Sequence, residues 1–251
     1  MGKTFKALGK KLNQLKNWLL RLLLLGFQVS LFFVIIYRIV PVFITPLPIV
    51  RLVDQAFGED PFRLKKDWVK IENIGQNIAL ATLTSEDPKF FKHYGFDFEQ
   101  IYESINKNLA KGKKLRGAST ITQQTAKNLF FTPKRSYIRK IAEVYVTIAL
   151  ELLWTKKRIL EVYLNIIEMG KGVYGAEAAA QFHFHKSAIK LTANEAAAIV
   201  ACYPNPRRWT ASKPSRYIAK KQSLIVRYMY RIGPLPWKKE IAAKKKKIKK
   251  N

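Results

Sequence analysis

A long apolar run near the N-terminus constrains this chain more than any other feature. From Leu22 to Ile36 every side chain is uncharged, and only Gln28 and Ser30 are polar. Trp18 to Tyr37 is 20 residues. As a helix rising ~1.5 Å per residue it covers the ~30 Å hydrocarbon core of a bilayer. Trp18 and Tyr37 suit the two interfaces, and Arg21 and Arg38 can snorkel from the ends. The run is too long for the h-region of a signal peptide, and no small-x-small cleavage site follows it. A core helix of a soluble domain rarely carries so long a run. The expectation is a single transmembrane helix over residues 18–40, preceded by a basic segment over 1–17. Lys3, Lys6, Lys10, Lys11 and Lys16 lie in that segment. The positive-inside bias keeps it cytoplasmic and puts the rest of the chain on the outer face.

The net charge of +29, from 46 basic and 17 acidic residues, calls for an anionic partner: nucleic acid, a membrane surface or a phosphorylated substrate. Its distribution is uneven. Residues 1–53 hold eight basic residues and no acid, and residues 238–251 hold eight Lys and one Glu. The C-terminal segment, 236–251, reads as a solvated polybasic tail able to meet anionic headgroups. Between Glu103 and Glu143 there is no acid and there are ten basic residues: Lys107, Lys111, Lys113, Lys114, Arg116, Lys127, Lys134, Arg135, Arg139 and Lys140. The lone Cys202 excludes an intrachain disulfide framework and a thiolate metal cluster.

Residues 41–69, rich in proline at Pro41, Pro46 and Pro48, read as a stiff membrane-proximal linker. The region 70–235 has helical periodicity and little alternation. Asp97 is placed to cap a helix through Leu109, closed by Gly112. A helix from Ser136 to Trp154 contains VYVTIAL, apolar nearly all round, which predicts a helix in the centre of the domain. Thr155 caps KKRILEVYLNII, whose Ile159, Leu160, Tyr163, Leu164 and Ile167 form one apolar face. Thr192 with Glu195 forms a capping box, and residues 215–232 form a last amphipathic helix. The fold class is therefore mainly α.

Several familiar motifs fail. GKGVYG, Gly170 to Gly175, has dinucleotide-loop spacing but follows a helix instead of a strand. The two S-x-x-K matches lack companion elements, and no HExxH, GxSxG or P-loop occurs. His93, His183 and His185 do not make a metal-ligand set.

Four segments taken together point elsewhere: SEDPKFFKHYGFD at 85–97, RGASTITQQTAKNLF at 116–130, RSYIRKIAE at 135–143 and KKRILEVYLNIIEMGKGVYG at 156–175. In order and spacing they resemble the peptidoglycan glycosyltransferases, glycosyltransferase family 51. With no room after the domain for a transpeptidase, the chain looks like a monofunctional biosynthetic member. The resemblance covers residues 70–235 and implies a lysozyme-like helical lobe with a small membrane-facing jaw. It also implies an inverting transfer that polymerises lipid II and releases undecaprenyl pyrophosphate. The implied location is the bacterial plasma (inner) membrane. Cell-division or elongation proteins are candidate partners, and nucleic acid is not. One departure is His185, where the pattern leads us to expect glycine.

By this resemblance Glu86 is the general base, which a sugar hydroxyl needs in order to attack near neutral pH. A helix ending near Ser85 would bring its negative end to that carboxylate, with Asp87 beside it. Glu143 is the second motif glutamate. Lys127, Arg135, Arg139 and Lys140 form the implied pyrophosphate clamp, since Arg offers phosphate a bidentate fork and Lys a point charge. Ser119, Thr120, Gln123 and Gln124 are implied substrate contacts, although Thr120 and Gln123 equally have capping-box spacing. A divalent cation, Mg²⁺ or Mn²⁺, is implied by the family alone, with Glu143 or the region of Asp87 as its site; no organic cofactor is expected. Phe90 reads as packing, Gly95 as a turn and Asn165 as a structural hydrogen-bonder. Two rival readings remain: a lytic transglycosylase of lysozyme-like fold, and a membrane-tethered anionic-lipid or nucleic-acid binder.

Overall fold

The computed structural model describes residues 2–58, 62–109, 119–134 and 136–237. Gly112, Lys111, Lys113, Lys114, Arg116, Arg135 and the polybasic segment beyond Trp237 lie outside the described residues, so the expectations placed on them rest on sequence alone. The chain divides into two compact units, residues 1–40 and 41–251.

The first unit is one helix, α1 (Gly2–Tyr37). Its stretch Gly9–Tyr37 is long and apolar enough to cross a membrane. The helix covers residues 18–37 of the expected 18–40 span, stops three residues short of its end, and runs on through the basic segment before it.

The second unit opens with α2 (Pro46–Ala56), where a proline linker was expected. Pro46 and Pro48 sit in the first turn, where a missing N–H costs nothing and the fixed φ suits a helix. A short strand β1 (Lys65–Lys66) and a single turn α3 (Ile71–Ile74) follow. Next come α4 (Gln76–Glu86) and α5 (Phe98–Leu109). The Asp97 carboxylate accepts from Gln100 N at 2.8 Å, as its capping position predicts. Then come α6 (Ile121–Phe130), α7 (Tyr137–Leu153) and α8 (Lys156–Ile166). Ser136 and Thr155 cap the last two through Arg139 N and Arg158 N.

The GKGVYG segment is a hairpin of β2 (Glu168–Gly170) and β3 (Val173–Tyr174). With β1 it makes a three-stranded sheet in the order β1-β3-β2. Its glycines answer to backbone geometry. Gly172 has φ +68°, and a Cβ there would lie 2.4 Å from Arg63 O; Gly175 has φ +85° and abuts Asn165. The spacing thus marks a turn and a helix start, with no nucleotide site. The chain closes with α9 (Ala176–Phe184), α10 (Ala193–Ala201) and α11 (Arg216–Met229). The Thr192–Glu195 capping box is formed in both directions.

The expected roles of α7 and α8 are exchanged. Ile159, Leu160, Val162, Tyr163, Leu164, Asn165 and Ile166 of α8 are all buried, so α8 is surrounded by the fold. The turn α3 and helices α6 and α9 pack around it. By contrast α7 buries Val146, Ala149 and Leu150 on one face. Its opposite face leaves Ile138 82%, Ile141 72% and Leu152 79% exposed. An apolar stripe of this kind needs a partner other than the core, and sequence periodicity does not say which. Asn165 anchors the centre: it pairs with Val69 N and Val69 O, both at 2.9 Å.

His185, placed where glycine was expected, ends α9 in the left-handed region at φ 55° and ψ 36°. Among the described residues it alone has positive φ without being glycine. Its ring is exposed, so little packing offsets the backbone strain. His185→Gly is expected to stabilise the fold by about 0.5–1 kcal/mol. A thermal melt in detergent should show the midpoint raised by roughly 1–3 °C.

Candidate active site

The site is assembled where the C-terminus of α4 meets the N-terminus of α6. Asp87, the first residue after α4, is 2% exposed. One of its oxygens lies 2.9 Å from His93 Nε2, and the other accepts from Ile121 N at 3.0 Å. That N–H is among the unpaired donors of the first turn of α6, where the helix dipole favours an anion. Thr120 Oγ1 donates to Gly95 O at 2.7 Å, so the first and second sequence motifs are joined a second time. Gly95 makes the turn with φ +80°. Phe90 is wholly buried, with the Lys156 ammonium 4.5 Å from its ring centre.

Glu86 closes α4 and is half-buried. One oxygen accepts from Gln124 Nε2 at 3.0 Å, and the other lies 3.3 Å from the Ser85 hydroxyl. Gln124 Oε1 in turn accepts from Tyr163 Oη at 3.1 Å. Burial holds the Tyr163 phenol far above its ordinary pKa, and the charge of Glu86 adds to this. It is therefore a neutral donor that fixes the orientation of the Gln124 amide, and the amide fixes Glu86. The sequence reading placed Tyr163 on an apolar face and missed its polar tip. It also missed Lys221 of α11, which lies within electrostatic reach of Glu86 and whose pKa is lowered by burial. The polar tip of a core-face residue was the available signal for Tyr163; for Lys221, on a cation-rich amphipathic helix, there was none.

Of the other expected contacts, Thr120 and Gln123 form a complete capping box on α6 and are buried. The capping role that their spacing allowed is therefore formed, with the Thr120 hydroxyl and the Gln123 carbonyl oxygen engaged at the helix end. Ser119, half-buried, directly precedes that cap.

A second charged cluster lies on α6 and α7. The Glu143 carboxylate is 5% exposed, with one oxygen on Arg139 Nη1 and the other 3.3 Å from Lys140 Nζ. This is more than the surface pair that i,i+4 spacing alone suggests, because both Glu143 and Arg139 are largely dry. Lys127 is within reach of the same field. Burial lowers its pKa first, and Arg139 and Lys140 lower it further; Glu143 and Glu86 oppose them. An anion entering here would gain three cations and relieve their mutual repulsion.

The carboxylates do not suit a resident metal. Both oxygens of Glu143 face cations, and both of Asp87 are taken by His93 and α6. Among the described residues no three His, Cys, Asp or Glu side chains cluster as a ligand set. No step is therefore derived through a divalent cation.

Replacing Asp87 by Ala strands His93 and the first N–H of α6. A loss of about 3–5 kcal/mol is expected, from two hydrogen bonds to a buried carboxylate at about 1.5–3 kcal/mol each. Urea unfolding followed by circular dichroism would read it; a midpoint near wild type would remove Asp87 from its joining role.

The family model described as Transglycosylase matches residues 54–230 of this chain. Three relatives each carry the name biosynthetic peptidoglycan transglycosylase. The one from Bdellovibrio bacteriovorus is 47% identical over 212 residues, 84% of each chain. The one from Bacteroides thetaiotaomicron is 44% identical over 229 residues, 91% of this chain and 92% of its own. A third, from Escherichia coli, is 44% identical over 203 residues, 80% of this chain and 84% of its own. With a half-buried glutamate, a cluster of cations around the buried Glu143, and a family match over residues 54–230, the chain belongs to the transglycosylase family.

Proposed function

We propose that this chain is a membrane-anchored peptidoglycan glycosyltransferase that polymerises lipid II, a lipid-linked disaccharide-pentapeptide, into glycan strands. The observation that carries the reading is the pairing of one half-buried base, Glu86, with the Lys127–Arg139–Lys140 cluster held by Glu143. Hydrolysis of a neutral glycan needs no such cluster, which disfavours a lytic enzyme. A purely electrostatic binder needs no glutamate held by a Tyr163–Gln124 relay.

In this mechanism Glu86 takes the proton of the acceptor sugar's 4-hydroxyl. The oxygen attacks the anomeric carbon of the growing chain, its bond to the pyrophosphate breaks, and α becomes β. The leaving group departs as an anion and needs charge stabilisation more than a proton. Lys127, Arg139 and Lys140 supply it, joined on sequence grounds by Arg135. Glu143 holds Arg139 and Lys140 in place. Gln124 orients Glu86, so its contact with substrate is indirect.

The helix α1 anchors the enzyme in the bacterial plasma (inner) membrane, with the Lys-rich N-terminus cytoplasmic and the catalytic unit on the outer face. The exposed apolar stripe of α7 adjoins the cationic cluster on the same helix, which suits a substrate whose lipid remains in a bilayer while its pyrophosphate is gripped at the surface.

Purified full-length protein supplied with lipid II in detergent should form polymer. Glu86→Gln should cut turnover by about 10²–10⁴-fold, the usual contribution of a general base, with an unchanged melting point. Polymer at a near wild-type rate in that variant would sink Glu86 as base. Arg139→Ala should raise the apparent KM by roughly 10-fold or more, the worth of a hydrogen bond to a charged group, and lower turnover too. An unchanged apparent affinity would reduce Arg139 to a partner of Glu143.

A further inference from the structure

A cavity of about 160 Å³ opens behind Gln124. At ~30 Å³ per water molecule it has room for roughly five waters, enough for a substituent and one edge of a sugar ring. Gln124 and Lys127 line one side and Glu168 another, and Leu47, Ile167 and Pro206 supply apolar wall. The cavity therefore touches both the residue that orients Glu86 and one cation of the leaving-group cluster.

Glu168 has no role in the mechanism above, yet its side chain is only 7% exposed. Its hydrogen bonding is poor. Gly172 N lies at 3.5 Å from one oxygen and Arg51 Nε at 3.5 Å from the other. Burial raises its pKa, with the Arg51 guanidinium opposing. Beside it the buried Tyr174 hydroxyl finds no hydrogen-bond partner among the described residues, and Arg51 Nε has only its long ion pair to Glu168. Interiors rarely leave so many polar groups together under-satisfied. A carboxylate here retains capacity to accept from a ligand N–H or O–H.

We propose that this cavity is a subsite for the acetamido group of an amino sugar, with Glu168 accepting its N–H. An acetamido group has one donor, one acceptor and one methyl. The Lys127 ammonium, with three donors, gives one to the carbonyl oxygen while its charge still serves the leaving anion, and the methyl lies against Leu47, Ile167 and Pro206. Pyrophosphate does not suit the cavity, because a Glu168 carboxylate would repel it; the anion belongs on the Arg139–Lys140 side. The inference rests on the polymerase reading and adds a residue that selects the sugar.

The test uses full-length enzyme in detergent, lipid II, and two lipid II analogues in which one or the other acetamido group is replaced by hydroxyl. Glu168→Ala should raise KM for lipid II about 10-fold with kcat within about twofold. Glu168→Gln keeps a carbonyl acceptor and should stay within about threefold of wild type. One analogue should show the same rise with wild-type enzyme, and Glu168→Ala should add nothing to it. Leu47→Trp narrows the cavity without touching Glu168 and should raise KM as well. That variant decides the matter if Glu168→Ala melts early. An unchanged KM in Leu47→Trp and in a folded Glu168→Ala overturns the subsite, as do additive losses with both analogues. A wild-type enzyme that forms no polymer overturns the polymerase reading and this inference with it; active wild type with unaffected variants overturns the subsite alone.

Discussion

The buried carboxylate of Asp87 is the interaction on which the site depends. It ends α4, accepts from the first turn of α6 and holds His93. A carboxylate out of water is tolerated only when both oxygens are paired, and a helix N-terminus offers donors and positive potential at once. Because Glu86 immediately precedes Asp87, fixing the second fixes where the first emerges. Gln124, one turn into α6, is thereby brought to Glu86, and Tyr163 of the central helix holds Gln124 from behind.

From this join the division of labour follows. The central helix α8 is buried from Val162 to Ile166 and lends rigidity, including the Asn165 anchor and the Tyr163 donor. The flanking helix α7 carries the charged chemistry on one side and an exposed apolar stripe on another. Its Glu143 keeps Arg139 and Lys140 from moving apart in the absence of an anion, so that part of the ordering cost of binding is met in the free enzyme. Lys127 has its pKa lowered first by burial and then by its neighbours Arg139 and Lys140, so an anion brought there would be favoured.

Much of this was legible along the chain. The apolar run, the helix caps at Asp97, Ser136, Thr155 and Thr192, and the four motifs located α1, most of the helical unit and both glutamates. These features are local: caps and periodicity act within one or two turns. Other expectations failed for equally local reasons. Pro46 and Pro48 suggested an extended linker, but prolines are also admitted to a helix's first turn. VYVTIAL looked central because composition cannot distinguish a face against protein from a face awaiting a different apolar surface.

The sequence by itself determined an N-terminal helix long and apolar enough to cross a membrane, the mainly α class, the family, and the residue types available for base and cation chemistry. Tertiary structure alone decided which of those side chains were free to act. Asp87 went to the join between motifs, Tyr163 to the support of Gln124, and Glu168 to a cavity no motif announces. The physical reason is that a polar group's role is set by the partner that satisfies it once water is removed. Several of the deciding partners lie far away in the chain: Gly95 is 25 residues from Thr120, Asp87 34 from Ile121 and Gln124 39 from Tyr163.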